Sequence, residues 1–198
     1  MALFAGAYWA PVSYYRLAVQ APLVQIEQHE HYQKQSYRNR CLILSANGPL
    51  ALTVPVLRPH HVPIKEIRID NSMPWRQKHL RAMEAAYRSS AYFEEFYGDV
   101  YALYKKETVF LFDLNLRSWE IALKLLELSL PWELSAAFEP VANQPWDYRH
   151  LIHPKKEPVP VPEWLHPEAY FQVFAHKFGF VPDLSILDLL FNHGRLEP

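Results

Sequence analysis

Glycine is scarce. The 198 residues hold five, at positions 6, 48, 98, 179 and 194, and no two lie close together. That spacing excludes the glycine-rich dinucleotide fingerprint and the Walker phosphate loop, which need several glycines so that backbone can approach a phosphate. Cysteine is scarcer still. A single one, Cys41, excludes an intramolecular disulfide and the zinc motifs built on Cys pairs, and it fits a reducing compartment. It sits in the apolar run Cys41-Leu-Ile-Leu44 and reads as a core residue. A Gly-x-Ser-x-Gly elbow, a His-Glu-x-x-His pair and a Cys–His nucleophile signature are also missing. No motif names a cofactor, so the cofactor is unknown from sequence. The uncharged stretch Met1 to Tyr15 is shorter than the about 20 apolar residues of a membrane span. With no positive charge before Arg16 it does not read as a secretory leader. The expectation is a cytoplasmic protein with no membrane span. A net charge of −1 argues against a general nucleic-acid binder.

What is present is globular. Half the residues are hydrophobic and 15% are aromatic, enough for one domain over residues 1–198 with its own core. Charge is uneven: residues 1–93 carry eleven Lys/Arg against five Asp/Glu, and residues 94–198 carry nine against sixteen. The basic half suits a compact anion such as a phosphate, nucleotide or carboxylate, or the two halves simply attract each other.

Read in order, the chain predicts an α/β fold: an N-terminal mixed sheet with a crossover and a β-hairpin, then a helical C-terminal part and a Pro-rich wrapping segment. Leu3 to Tyr8 reads as a strand, Val12 to Gln20 as a short helix and Leu23 to Ile26 as a second strand, an order that implies a parallel pair. Cys41–Leu44 and Leu50–Val54 flank Asn47-Gly48, the dipeptide most typical of hairpins. Ile64 to Asp70 alternates apolar and charged residues like a further strand, giving a strand-rich part over 1–70. A helical part over 74–128 follows: Trp75 to Ser89, Tyr92 to Lys105 and Asp113 to Leu128. Eight of the seventeen prolines fall in residues 131–167, which read as an extended segment pinned by Trp132, Trp146, Tyr148 and Trp164. In the terminal part, 168–194, Glu168 to Lys177 and Leu184 to Phe191 read as helices. Asp183 is the expected N-cap of the second, and Asn192-His-Gly194 its C-cap.

The densest polar stretch is Glu27 to Arg40, EQHEHYQKQSYRNR, lying between two apolar runs. Arg38 and Arg40 have strand spacing, so both can point one way and grip one anion. Lys34 adds a third cation, and Tyr32 and Asn39 supply further contacts; a solvated strand edge explains the charges but not the tyrosines and amides around them. On the first long helix, Lys78 and His79 lie in the early turns, where anions are favoured. His79 and Glu30 are the candidate proton-moving groups, although a Trp75/His79/Met83 stripe is ordinarily core. Asp188, inside an apolar helix, needs a partner if buried, and an arginine of the Glu27–Arg40 stretch is the candidate. The histidines at 29, 31, 60, 61, 150 and 153 have neither cysteine partners nor helical spacing, so no metal site is assigned.

Several stretches together are similar to the WbqC-like protein family, in particular its shorter members. They are Ala7-Tyr-Trp-Ala-Pro-Val-Ser-Tyr-Tyr15; Tyr32, Lys34 and Arg38-Asn39-Arg40; Thr53-Val-Pro-Val56; Ile67-Arg-Ile-Asp70; Trp75-x-x-Lys78-His79 with Glu84, Ala86-Tyr87 and Tyr92-Phe93; and Phe180 through Gly194. Longer members begin with Gln-Pro where this chain has Gly6-Ala7. The resemblance implies a role in bacterial surface-polysaccharide (O-antigen or capsule) synthesis. Two functions follow as expectations: a transferase acting on a sugar nucleotide or an activated acyl or aminoacyl donor, or a non-catalytic partner of a polysaccharide-synthesis enzyme.

Overall fold

A computed structural model describes residues 1–57, 62–138, 140, 146–150, 165 and 168–196. The fold is mixed α/β. β1 (Ala2–Ala5) and β2 (Val24–Glu27) are parallel, joined by the crossover helix α1 (Val12–Val19). All four β1 residues are buried, as strands covered on both faces must be. β3 (Arg40–Ser45) and β4 (Gly48–Thr53) form the expected antiparallel hairpin. Its turn needs Gly48, whose φ of 101° lies in the region a side chain disfavours.

Three helices follow: α2 (Trp75–Tyr87), α3 (Phe93–Lys105) and α4 (Leu111–Leu125). The buried stripe of α2 is Trp75, His79, Met83, Ala86 and Tyr87, spaced at helical period. Then comes β5 (Trp132–Leu134), which pairs parallel to β2 and completes a sheet of order β1-β2-β5. The other side of β1 is bordered by Asp147: Leu3 N–H donates to the Trp146 carbonyl and Tyr148 N–H to the Leu3 carbonyl, both at 2.8 Å. So described parts of the proline-rich region flank both edges of the β1–β2 pair. Trp132 and Tyr148 pack against the core, whereas Trp146 is exposed. Trp164 and the rest of that region's expected wrapping lie outside the described residues, as do His60, His61 and His153. The short α5 (Ala175–Phe178) precedes the terminal helix α6 (Ile186–His193). Among the described residues no helix is long and apolar enough to cross a membrane.

Three local expectations need correction. Residues 64–70 are not a strand: Ile64–Glu66 form a 3-10 turn, and only isolated bridges, Val56 to Ile69 and Arg68 to Phe110, follow. Ile64 and Ile67 are both buried, a spacing of three that fits a turn and that alternation with charges disguised. Residues 168–174 are not helical, because Tyr170 and Gln172 are drawn to Asp188 and to the backbone of Val181. The N-cap of α6 is Ser185, whose hydroxyl accepts from Leu187 N–H. Asp183 caps a different helix: its carboxylate accepts from the Ser13 N–H (2.9 Å) and hydroxyl (3.0 Å), satisfying the start of α1, where Pro11 cannot. The C-cap is as expected, with Gly194 in the left-handed region at φ 86°.

Candidate functional site

The carboxyl ends of β1 and β2 gather charge. Glu27, the last residue of β2, is fully buried. One carboxylate oxygen accepts from the His29 N–H and the Ser135 hydroxyl, and the other accepts from Arg149 Nη1 at 3.1 Å. Arg149 also forks onto Asp147, Nε to Oδ1 at 2.9 Å and Nη2 to Oδ2 at 2.6 Å. Burial pushes the Asp147 carboxyl up, but the hydrogen bonds and charge of Arg149 outweigh it and hold the group below its ordinary value. Beside this, Arg38 forks onto Glu30, Nε to Oε1 at 2.7 Å and Nη2 to Oε2 at 2.5 Å, with both residues buried. Three carboxylates and two guanidinium groups thus share one interior region. Burial of so much charge is costly unless each group is paired, and removing one partner of such a pair costs about 3–5 kcal/mol.

The two arginines of the Glu27–Arg40 stretch are therefore used differently. Arg38 lies in the turn before β3; its fork is taken by Glu30 and its carbonyl accepts from Asn115 Nδ2 on α4 at 2.9 Å. Arg40 opens β3, and its Nε and Nη2 are buried with no hydrogen-bond partner among the described residues. Asn39 donates to the Val54 carbonyl, while its Oδ1 has no partner; the same holds for Asn115 Oδ1. Six buried side-chain atoms among the described residues lack a partner, and four of them belong to Asn39, Arg40 and Asn115. Such groups are rare in folded proteins, and each asks for an explanation.

The loop after β1 closes on this cluster. Tyr8 N–H donates to the Tyr37 carbonyl, and Gly6 lies so close to α4 that a Cβ there would sit 2.8 Å from the Phe112 ring. Trp9 is held at φ 43°, a left-handed conformation that bulky residues rarely adopt. Its N–H donates to the Ser118 hydroxyl, its carbonyl accepts from the Ser185 hydroxyl and its indole N–H donates to Tyr104. Three anchors over-determine the strained residue, the arrangement found at ligand-binding loops. Tyr32 is half-buried; burial pushes its phenol up to about 12 against the opposing charges of Arg40 and Arg38, so it stays a hydrogen-bond donor. Lys34 is exposed.

His79 belongs to a second network. Its Nε2 lies 3.2 Å from the Thr53 carbonyl, which can only accept, so Nε2 carries the proton. Nδ1 then accepts from the Tyr8 hydroxyl at 2.9 Å, Tyr8 accepts from the Tyr104 hydroxyl and Tyr104 accepts from Trp9. Burial lowers the imidazole to about 4, although the Thr53 carbonyl favours its charged form. Lys78 is exposed on the adjacent rim. Glu30, Arg38, Asn39 and Arg40 come together at the sheet end; Lys78 and His79 line a separate groove on the far side of the Arg40–Thr53 strand pair.

Asp188 sits apart from both. Its carboxylate is fully buried and accepts from the Tyr87 and Tyr170 hydroxyls and from Gln172, each at 2.8 Å. Burial raises its pKa, while these donors oppose the rise. The partner it needed comes from neutral groups rather than from an arginine, because neutral donors stabilise a buried carboxyl without bringing a second charge inside. Among the described residues no three His, Cys, Asp or Glu are grouped to hold a metal ion.

Sequence reasoning passed over Asp147, Arg149 and Asn115. Asp147 and Arg149 stand two apart in an extended stretch and so face one side, a signal available in advance. Asn115 read only as part of a helix start, and nothing local marks it out.

Fold and site together define an α/β protein with a buried, ion-paired cluster of three carboxylates and two guanidinium groups beside the carboxyl ends of its parallel strands. More particularly, the chain belongs to the WbqC-like protein family, whose model matches residues 7–155. The match includes the strained loop, the Glu30–Arg40 turn, α2 to α4 and the Asp147–Arg149 pair, and it ends before Phe180–Gly194. The chain is also similar to an uncharacterized protein of Mycobacterium tuberculosis (strain ATCC 25618 / H37Rv), Rv1507c. The two are 29% identical over 191 residues, covering 84% of this chain and 82% of the relative. No solved structure matches.

Proposed function

We propose that the protein binds an anionic group-transfer donor, a sugar nucleotide or an activated acyl or aminoacyl compound, at the carboxyl end of its parallel sheet. Arg40 takes the anionic group, Asn39 and Asn115 supply acceptors for hydroxyl or amide groups, and Tyr32 donates. Glu30 and Arg38 position the turn that carries Asn39 and Arg40, and His79 orients Tyr8 in the adjoining loop. The cellular role is cytoplasmic and lies in bacterial surface-polysaccharide synthesis, as the family resemblance implies. The observation that carries the binding reading is that Asn39, Arg40 and Asn115 hold four of the six buried side-chain atoms without a partner among the described residues. A buried guanidinium without a carboxylate is a cost that a bound anion removes.

Thermal denaturation with sugar nucleotides, acyl and aminoacyl adenylate analogues and inorganic phosphate tests this. A bound donor raises the midpoint with its concentration, and Arg40→Met abolishes the rise. Equal stabilisation of wild type and Arg40→Met overturns the reading. A second reading, a partner subunit of a polysaccharide-synthesis enzyme, draws support from Phe171, which is 67% exposed. Undiminished pull-down of such an enzyme by Phe171→Ser removes that support.

A further inference from the structure

The hairpin leaves one strand edge open. Val54 N–H donates to the Asn39 carbonyl at 2.7 Å, which makes residues 39 and 54 a hydrogen-bonded pair. By the antiparallel alternation, Cys41–Leu52 and Ile43–Leu50 are bonded pairs too, and Arg40–Thr53 and Leu42–Ala51 are not. The N–H and C=O of Ala51 and of Thr53 therefore point away from β3. The outer edge of β3 is engaged, since Ser185 N–H donates to the Leu42 carbonyl. Among the described residues no strand pairs with the outer edge of β4. Among the described residues only the Thr53 carbonyl has a partner there, His79.

That edge borders a groove of about 340 Å³, within the size range of small-molecule sites. Its walls are Leu50, Leu52, Pro55, Met73 and Trp75, and among the described residues Lys78 is the one charge lining it. Among them no carboxylate lines it, and His79 is neutral above pH 5 because burial lowers it to about 4. The groove thus offers three things in one place: unpaired backbone amide groups in extended geometry, an apolar wall and one cation. The complementary ligand is a linear chain with secondary amides, an aliphatic body and one anionic end.

We infer that the groove between β4 and α2 binds the phosphopantetheine arm of an activated acyl donor. The arm lies along β4 as an added strand, its amides on Ala51 and Thr53, its dimethyl carbon against Leu52 and Trp75 and its phosphate at Lys78. This rests on the reading that the protein takes an activated donor, and it selects the acyl class. The same arm occurs in free coenzyme A and on carrier proteins.

Amide chemical shifts of the full chain, titrated with 4′-phosphopantetheine, coenzyme A and adenosine 3′,5′-bisphosphate, test the assignment. Phosphopantetheine shifts Ala51 and Thr53, and the bisphosphate, which lacks the arm, does not. Coenzyme A binding more tightly than phosphopantetheine marks the free coenzyme as source; equal affinity marks a carrier protein. Lys78→Ala weakens binding about tenfold, the loss of one charge-assisted hydrogen bond. Ala51→Pro removes the outward N–H at a position where an edge strand tolerates proline, and it weakens binding by a similar factor. Unmoved Ala51 and Thr53 resonances, or identical shifts with the bisphosphate, overturn the inference even if the prolyl variant does not fold. A sugar nucleotide that stabilises through Arg40 while phosphopantetheine fails to bind sinks this inference alone.

Discussion

Lowering the pH from 7 to 4 forces a proton toward one buried imidazole. His79 has an ordinary value of 6.5, and burial brings it to about 4 in the folded chain. Below 6.5 the unfolded chain binds a proton that the folded chain refuses, so the stability His79 contributes is complete above pH 6.5 and is lost as pH falls toward 4. At 1.36 kcal/mol per tenfold change that difference is worth about 3 kcal/mol. In urea, with an m-value of about 2 kcal/mol/M, the midpoint falls by roughly 1.5 M. Asp188, whose carboxyl burial raises, changes stability in the opposite direction and does so equally in wild type and variant; the Asp147 carboxyl is held below 3.8, so its loss begins below the window. The comparison is with His79→Gln, whose amide can donate to the Thr53 carbonyl and accept from Tyr8 without titrating. Urea denaturation of both proteins at pH 7, 6, 5 and 4 is the assay. Wild type loses about 3 kcal/mol more than the variant. If the two lose the same amount, His79 is not held neutral, and the assignment of its proton to Nε2 fails with it.

Four further outcomes are expected. Arg40→Met in the absence of ligand raises the stability by about 1–3 kcal/mol in urea denaturation, because it removes buried donors that have no acceptor; a loss instead means the guanidinium is already satisfied. Arg149→Met costs about 3–5 kcal/mol by the same assay, since it strands Glu27 and Asp147; a change under 1 kcal/mol refutes the pairing. Gly6→Ala lowers the stability by about 1–3 kcal/mol, the cost of overpacking against the Phe112 ring, and an unchanged thermal midpoint counts against the close approach. Asp188 runs opposite to His79: its raised pKa means stability is lost as pH rises from 3.8 through the folded value. Asp188→Asn therefore gains on wild type across that rise, and parallel pH profiles of the two refute it.

Elements whose signals are local were legible in the chain. The hairpin follows from alternation on either side of Asn47-Gly48, and α2 to α4 from apolar residues at helical spacing. β5 was not, because Trp132-Glu-Leu134 is three residues among prolines and becomes a strand only by pairing with β2, more than a hundred positions away. The site divides the same way. The density of polar groups marked residues 27–40, but which arginine stays available is decided by Glu30, across a turn, and by Asn115, 77 positions from Arg38. Asp183 looked like the cap of the nearest helix and caps one that begins 170 residues earlier. Local rules name the capping residue type; the tertiary fold chooses the helix.

The order in which the sheet is assembled sets a constraint on synthesis. β1 and β2 emerge first, yet the backbone that flanks them comes from Trp132–Leu134 and from residues 146–148. At ribosomal rates of about 5–20 residues per second, the pair waits roughly 5–20 seconds for its first neighbour. For that interval two apolar strands carry open edges of the kind that pair with other chains. Nascent molecules are therefore most prone to aggregate before the Pro-rich region leaves the ribosome, and chains truncated ahead of Trp132 should depend on holding chaperones far more than the full chain does.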